Sequence, residues 1–202
     1  MGRFSRRFWE LHPFSRGWSF LQGSVDTNKG YGGREQVVFW EDGTGALYEF
    51  VAEKLGATGV GAWLRGEDAW GRAGVAVSQM RGLQCTLYTG ELFDENTAAI
   101  IPKNPKHLPA IWAYCTSEEY RDAVRAIDNS SLKVPNLTLT KVPFDLAKWS
   151  GAAAKSEVDV PLRPISHECT QWVFHGDPSW GPHSGQVAVC RLLGYHWPAE
   201  VG

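Results

Sequence analysis

The stretch from Thr97 to Asp145 constrains this chain most, because its apolar residues change period twice and so demand both a sheet and helices packed on it. Thr97-Ala-Ala-Ile-Ile101 predicts a strand, and the loop Pro102-Lys-Asn-Pro-Lys-His-Leu108 separates it from a helix beginning at Pro109. Thr116-Ser-Glu-Glu119 has the S/T-x-x-E form of a capping box, in which hydroxyl and carboxylate satisfy backbone N–H groups that a helix start leaves without partners. It predicts a second helix, whose Tyr120, Ala123, Val124 and Ile127 fall on one face, with Glu118, Arg121 and Arg125 opposite. Asn129-Ser-Ser131 ends it. Leu137-Thr-Leu-Thr-Lys-Val142 then alternates as a half-buried strand does, until Pro143 stops the ladder.

These signals predict an α+β fold: a mixed or antiparallel sheet of short strands, with the helix pair from Pro109 to Asp128 packed on it and a C-terminal appendage. Residues 1–149 form the expected main domain, with 1–20 as a basic and aromatic N-terminal arm. Residues 150–202 are the expected linker and small C-terminal element, because Ser150-Gly-Ala-Ala-Ala-Lys-Ser156 has little to bury and Val160-Pro-Leu-Arg-Pro164 is broken by proline. Gln186 to Leu193 reads as a helix closed by Gly194.

With 202 residues, 43% of them hydrophobic, the chain can bury one good core. It has no apolar run of about 18 residues, and Met1-Gly-Arg-Phe-Ser-Arg-Arg7 lacks the apolar stretch of a signal peptide, so no membrane partner and a cytoplasmic location are expected. Cys85, Cys115, Cys169 and Cys190 make no C-x-x-C pair, which fits reduced structural thiols. The formal charge of -2 argues against a uniformly basic nucleic-acid binder and requires any such face to be local.

Earlier in the chain, Asn28-Lys-Gly-Tyr-Gly-Gly33 is a glycine-rich loop that presents Tyr31 and Arg34 as exposed candidates. Val37-Val-Phe-Trp40 reads as a strand, and Asp42-Gly-Thr-Gly45 leads into a helix with Leu47, Phe50, Val51 and Leu55 on one face and Gly56 as its cap. With a second strand Val60 to Arg65 and the acids Glu67-Asp68 after it, this imitates the opening of an S-adenosylmethionine site. Only one such unit is visible, so no cofactor is expected in this chain. From Trp63 to Met80, Arg65, Arg72 and Gln79 stand among strands and glycines, with the chemistry of major-groove readout: Arg bridges guanine O6 and N7, and Gln pairs with adenine. Gly90 to Glu95 reads as an exposed acidic turn; with Lys103 its carboxylates suggest a magnesium nuclease, but the spacing is loose. His167, Cys169, His175, His183 and Cys190 match no zinc pattern, so no metal is expected.

Six segments carry a resemblance: Gly61 to Gly66, Ala69 to Met80, Thr86 to Asp94, Ala99 to Pro105, Leu137 to Leu146 and Val187 to Tyr195. Together they resemble the C-terminal target recognition region of large adenine-specific DNA methyltransferases, the single-chain type II restriction-methylase and BREX-type enzymes of restriction-modification and phage defence. The resemblance implies sequence-specific recognition of double-stranded DNA, with a methyltransferase catalytic domain or subunit as partner and S-adenosylmethionine as that parent enzyme's cofactor. The family's Asn-Pro-Pro-Tyr signature is absent, since Asn104-Pro105 is followed by Lys106-His107. The chain is thus expected to be a fragment or a recognition subunit, without catalysis of its own. The DNA-binding candidates are Arg34, Arg65, Arg72, Gln79, Arg81, Lys103, Lys106, Lys133 and Lys141, with Arg65 and Arg72 as base readers and Lys103, Lys106 and Lys141 as phosphate clamps. Two alternatives remain: a methyltransferase domain that binds S-adenosylmethionine at Gly43 to Gly45, and a protein-interaction module.

Overall fold

Gly74-Val-Ala-Val-Ser78 has one polar side chain, the Ser78 hydroxyl, which the Val25 backbone satisfies, and all five residues are buried as the central strand of a small sheet. This computed structural model describes residues 3–8, 11, 16–60, 66–80, 82–129, 132–154 and 184–192. The central strand β4 (Gly74–Ser78) pairs antiparallel with β5 (Cys85–Tyr88) on one side and β7 (Thr97–Ile100) on the other. Its period of two sorts the side chains. Val75 and Val77 join Cys85 and Ala98 in the main core, whereas Ala76 faces the other way with Tyr88 and Ala69.

The main core is closed by the helix pair. Helix α2 (Leu108–Cys115) contributes Tyr114 and Cys115, and α3 (Glu118–Ile127) contributes Tyr120 and Val124. The start of α3 differs from the expected capping box by one residue. Ser117 is the cap and accepts from Tyr120 N at 3.2 Å, while the Thr116 hydroxyl turns back to donate to the Trp112 and Ala113 carbonyls. Thr116 still has helical backbone angles at the end of α2, so the first residue able to leave the helix and cap the next is Ser117.

Leu137 to Val142 is not a strand. Asn136–Thr140 forms a one-turn helix, α4, entered through the extended backbone of Pro135. Both edges of β4 are already taken by β5 and β7, and the segment instead satisfies its backbone locally, through Thr138 N to Pro135 O and Lys141 N to Thr138 O. Leu139 is buried and Val142 packs partly buried against the main core, while Leu137 stays 62% exposed. Helix α5 (Leu146–Ala153) follows, with the Asp145 carboxylate accepting from Lys148 N at 3.1 Å. Its Trp149 ring packs on Tyr114 with centroids 5.2 Å apart. The expected boundary at residue 150 therefore falls inside a helix that belongs to the body of the fold. Helix α6 (Ser184–Leu192) lies where a C-terminal helix was expected. The proline-broken stretch, together with His167, Cys169, His175 and His183, lies outside the described residues.

The expected N-terminal arm is built into a second sheet. Strands β1 (Ser5–Arg7) and β2 (Trp18–Gln22) flank β3 (Gln36–Phe39) antiparallel, and β6 (Leu92–Phe93) adds to β2 in parallel, giving a mixed sheet in the order β1-β3-β2-β6. Its aromatics are what hold the segment down: Phe4 packs with Leu47 and Val51 of α1 (Ala46–Val60), and Phe8 packs with Val37. At Gly56 the backbone leaves helical angles, with φ 72°, as expected of a cap. Val60 ends α1 rather than beginning a strand, and residues 61–65 lie outside the described residues. No helix among the described residues is long and apolar enough to cross a membrane.

Replacing the true cap should cost more than replacing its neighbour. Ser117→Ala is expected to lower the unfolding free energy by about 1 kcal/mol in urea titrations, and Thr116→Ala by clearly less. The reverse order would return the cap to Thr116.

Candidate nucleic-acid interface

Strand β7 is an edge of its sheet, and a cleft of about 320 Å³ runs along it. Ala99, Ile101 and Phe93 give the cleft its apolar lining. Its polar lining comes from Asp68 and Arg72 in the segment before β4, and from Asn136 and Thr140 of α4. Arg72 is exposed, and its Nη1 donates to the Asp68 carbonyl at 3.2 Å. The cleft thus sets an arginine and an amide, both able to donate hydrogen bonds, beside an apolar strip and one carboxylate.

Four other expected contacts are exposed near this cleft in sequence. Lys103 and Lys106 lie in the loop that follows β7, where the Asn104 side chain accepts from Lys106 N at 3.1 Å and fixes the turn. Lys141 directly follows Thr140. Lys133 is exposed as well, but its ammonium donates to the Glu95 carbonyl. Arg65 and Arg81 lie outside the described residues.

Two expected DNA contacts are buried instead. Arg34 is 1% exposed. Its Nε meets Glu91 Oε1 at 2.8 Å, its other nitrogens donate to the carbonyls of Gly32 and Leu87, and its guanidinium lies over the Tyr31 ring at 4.0 Å. A charge taken out of water needs such partners, and a fork buried among them cannot reach a phosphate. Glu91 is correspondingly no part of an exposed acidic turn; Leu92 and Phe93 beside it are strand β6. Gln79 is 4% exposed, and both hydrogens of its Nε2 are used: one goes to the Val134 carbonyl at 2.7 Å, the other to Asn136 Oδ1 at 2.6 Å. It cannot pair with adenine. Asn136, which sequence reasoning missed, occupies the exposed end of this contact. Its only sequence signal is an Asn placed directly after Pro135, a common turn-starting pair that says nothing about a cleft.

The Gly43 to Gly45 turn is filled by its own neighbours. A side chain at Gly43 would strike the Trp40 ring, at 2.9 Å, and one at Gly45 would strike the Glu41 carboxylate, at 2.1 Å. That carboxylate accepts from Ala46 N at 2.8 Å, so it occupies the start of α1 where a nucleotide's anionic group would sit. Strand β3 runs antiparallel to both neighbours, unlike the parallel strands of a dinucleotide fold. These residues do not fit S-adenosylmethionine. Among the described residues no three His, Cys, Asp or Glu side chains come together as a metal site. Burial pushes the Cys85 thiol up to about 12 and the Cys115 thiol well above its ordinary value, which keeps both neutral inside the main core. Compared with known proteins, the chain matches no family model and no curated sequence.

The Arg34–Glu91 pair makes stability depend on pH. Burial raises the Glu91 carboxyl, but the Arg34 charge and the Thr89 hydroxyl outweigh it and hold the group below its ordinary 4.5. A carboxylate depressed in the folded state adds stability that is complete above the unfolded value and is lost as pH falls through the folded one. Urea midpoints should therefore fall below about pH 4.5 in the native chain. Arg34→Ala should cost about 3 kcal/mol at neutral pH and flatten that acid limb. An unchanged acid limb in the variant would assign the loss to other carboxylates.

Proposed function

We propose that this chain recognises double-stranded DNA, with Arg72 meeting a base edge from the cleft and Lys103, Lys106 and Lys141 gripping phosphates on either side. The observation that carries the reading is the cleft along β7: an exposed Arg and an amide share it with Asp68, Thr140 and an apolar floor, and exposed lysines follow two of its walls in sequence. Lys133, tied to the Glu95 carbonyl, serves first to hold the segment before α4. The negative sum of charges is compatible with this because phosphate contacts need only a local basic surface.

The resemblance of the six segments to adenine methyltransferase recognition regions extends the proposal to the chain's company. It acts in the cytoplasm with a methyltransferase catalytic domain or subunit, in restriction-modification or phage defence, and the methyl transfer and its S-adenosylmethionine belong to that partner.

The test is anisotropy of short labelled random duplexes titrated with the chain across a salt series, with and without the methyltransferase domain. Lys103→Ala, Lys106→Ala and Lys141→Ala should each weaken all sequences alike and lower the salt slope by about one unit. Arg72→Ala should relax preference at one base pair at a cost of about 1 to 3 kcal/mol. If all four variants keep native affinity and slope, the face is misplaced; if the native chain binds no duplex in either setting, the DNA reading falls.

A further inference from the structure

Within the cleft the side-chain amide of Asn136 has a fixed orientation, and a buried residue fixes it. The Val134 backbone carbonyl can only accept, so the Gln79 group facing it at 2.7 Å is the amide nitrogen rather than the oxygen. The second hydrogen of that nitrogen then donates to Asn136 at 2.6 Å, which requires Asn136 to turn its Oδ1 inward. Gln79 is itself anchored: its N–H donates to the Asn96 carbonyl at 2.8 Å, and its carbonyl accepts from Val134 N at 2.9 Å. The chain of donors and acceptors thus runs from the backbone to the cleft without a free choice at any step. What remains outward on Asn136, an exposed residue lining the cleft, is the Nδ2 donor.

We propose that Asn136 is a specificity-determining residue that donates to the acceptor edge of guanine, and that Gln79 is its positioning residue. This rests on the DNA reading above. An Asn that pairs with adenine must offer Oδ1 to the N6 amino group and Nδ2 to N7. Here Oδ1 is engaged from inside the protein, so the outward group matches guanine, whose N7 and O6 both accept. Arg72 in the same cleft is likewise a donor only, which reinforces the same choice.

The experiment begins with selection of bound sequences from a randomised duplex pool by the native chain, followed by binding of variants to the selected duplex and to all single-pair changes of it. Asn136→Ala should reduce the preference at one G·C pair by about tenfold and leave the salt slope unchanged. Asn136→Asp, which replaces the donor by an acceptor, should move the preference at that pair toward cytosine, whose N4 amino group donates. Gln79→Leu releases the amide and should let adenine be accepted there beside guanine. The Asn136 variants sit at an exposed position and decide the matter even where Gln79→Leu does not fold. Native base preference retained by both Asn136 variants, or duplex binding by the native chain without any base preference, overturns this inference and leaves general DNA binding standing. No duplex binding by the native chain removes both.

Discussion

The two sheets share no strand, and the buried Arg34 guanidinium is the charged group that ties them together. Arg34 sits just before β3 of the first sheet, and its donors reach the Leu87 carbonyl at the end of β5 in the second, then Thr89 and Glu91 ahead of β6. Planar and always charged, Arg can serve several acceptors at fixed angles, which Lys could not do from the same position. Two neighbouring contacts reinforce the joint. Lys29 N donates to the Cys85 carbonyl while Asn28 Oδ1 accepts from Cys85 N, so the loop before Arg34 takes up the outer edge of β5. On the far side, Trp70 meets Trp40 edge-on at 5.5 Å, linking the segment before β4 to the turn that precedes α1. The cleft depends on this joint, because its walls include Phe93 from the first sheet and β7 from the second.

Where burial follows a simple period, the sequence is legible. The strand after Thr97 and the apolar face of α3 rest on patterns of two and 3.6 that the core then uses, with Ala98 and Val124 both inside. Leu137 to Val142 shows the failure of the same reasoning. Two apolar residues in alternation, Leu137 and Leu139, with Val142 out of step, are too few to separate a strand from one helical turn, and the deciding facts, occupied β4 edges and a proline entry, lie in tertiary contacts and in the preceding residues. Arg34 was illegible for a related reason. Nothing local distinguishes an arginine after a glycine-rich loop that faces water from one whose carboxylate partner stands 57 positions away.

The Gly-x-Gly turn shows how a motif can be right about geometry and silent about chemistry. Its glycines do mark close approach, and the approaching groups are the chain's own Trp40 ring and Glu41 carboxylate. Glu41 and Asp42 adopt positive φ of 50° and 54°, conformations uncommon for residues with side chains. The Glu41 carboxylate bonded to Ala46 N helps to hold that geometry. A helix start can be satisfied by a ligand or by a side chain, and the pattern of glycines is the same in both cases.

Net charge misleads in a similar way, since it adds charges that do not act together. Glu91 is engaged by Arg34, Glu119 by Lys148 across α3 and α5, and Glu118 by Arg121 within α3. Among the described residues, Lys103, Lys106 and Lys141 belong to none of these pairs, and they stand exposed on the loops that follow β7 and α4. Two of these pairs tie separate elements together, while the three cations stay exposed beside segments that line the cleft, whose own acid is Asp68. A formal charge of -2 therefore says little about any one face, since exposed charges act on a neighbour only within a Debye length of about 10 Å at moderate salt.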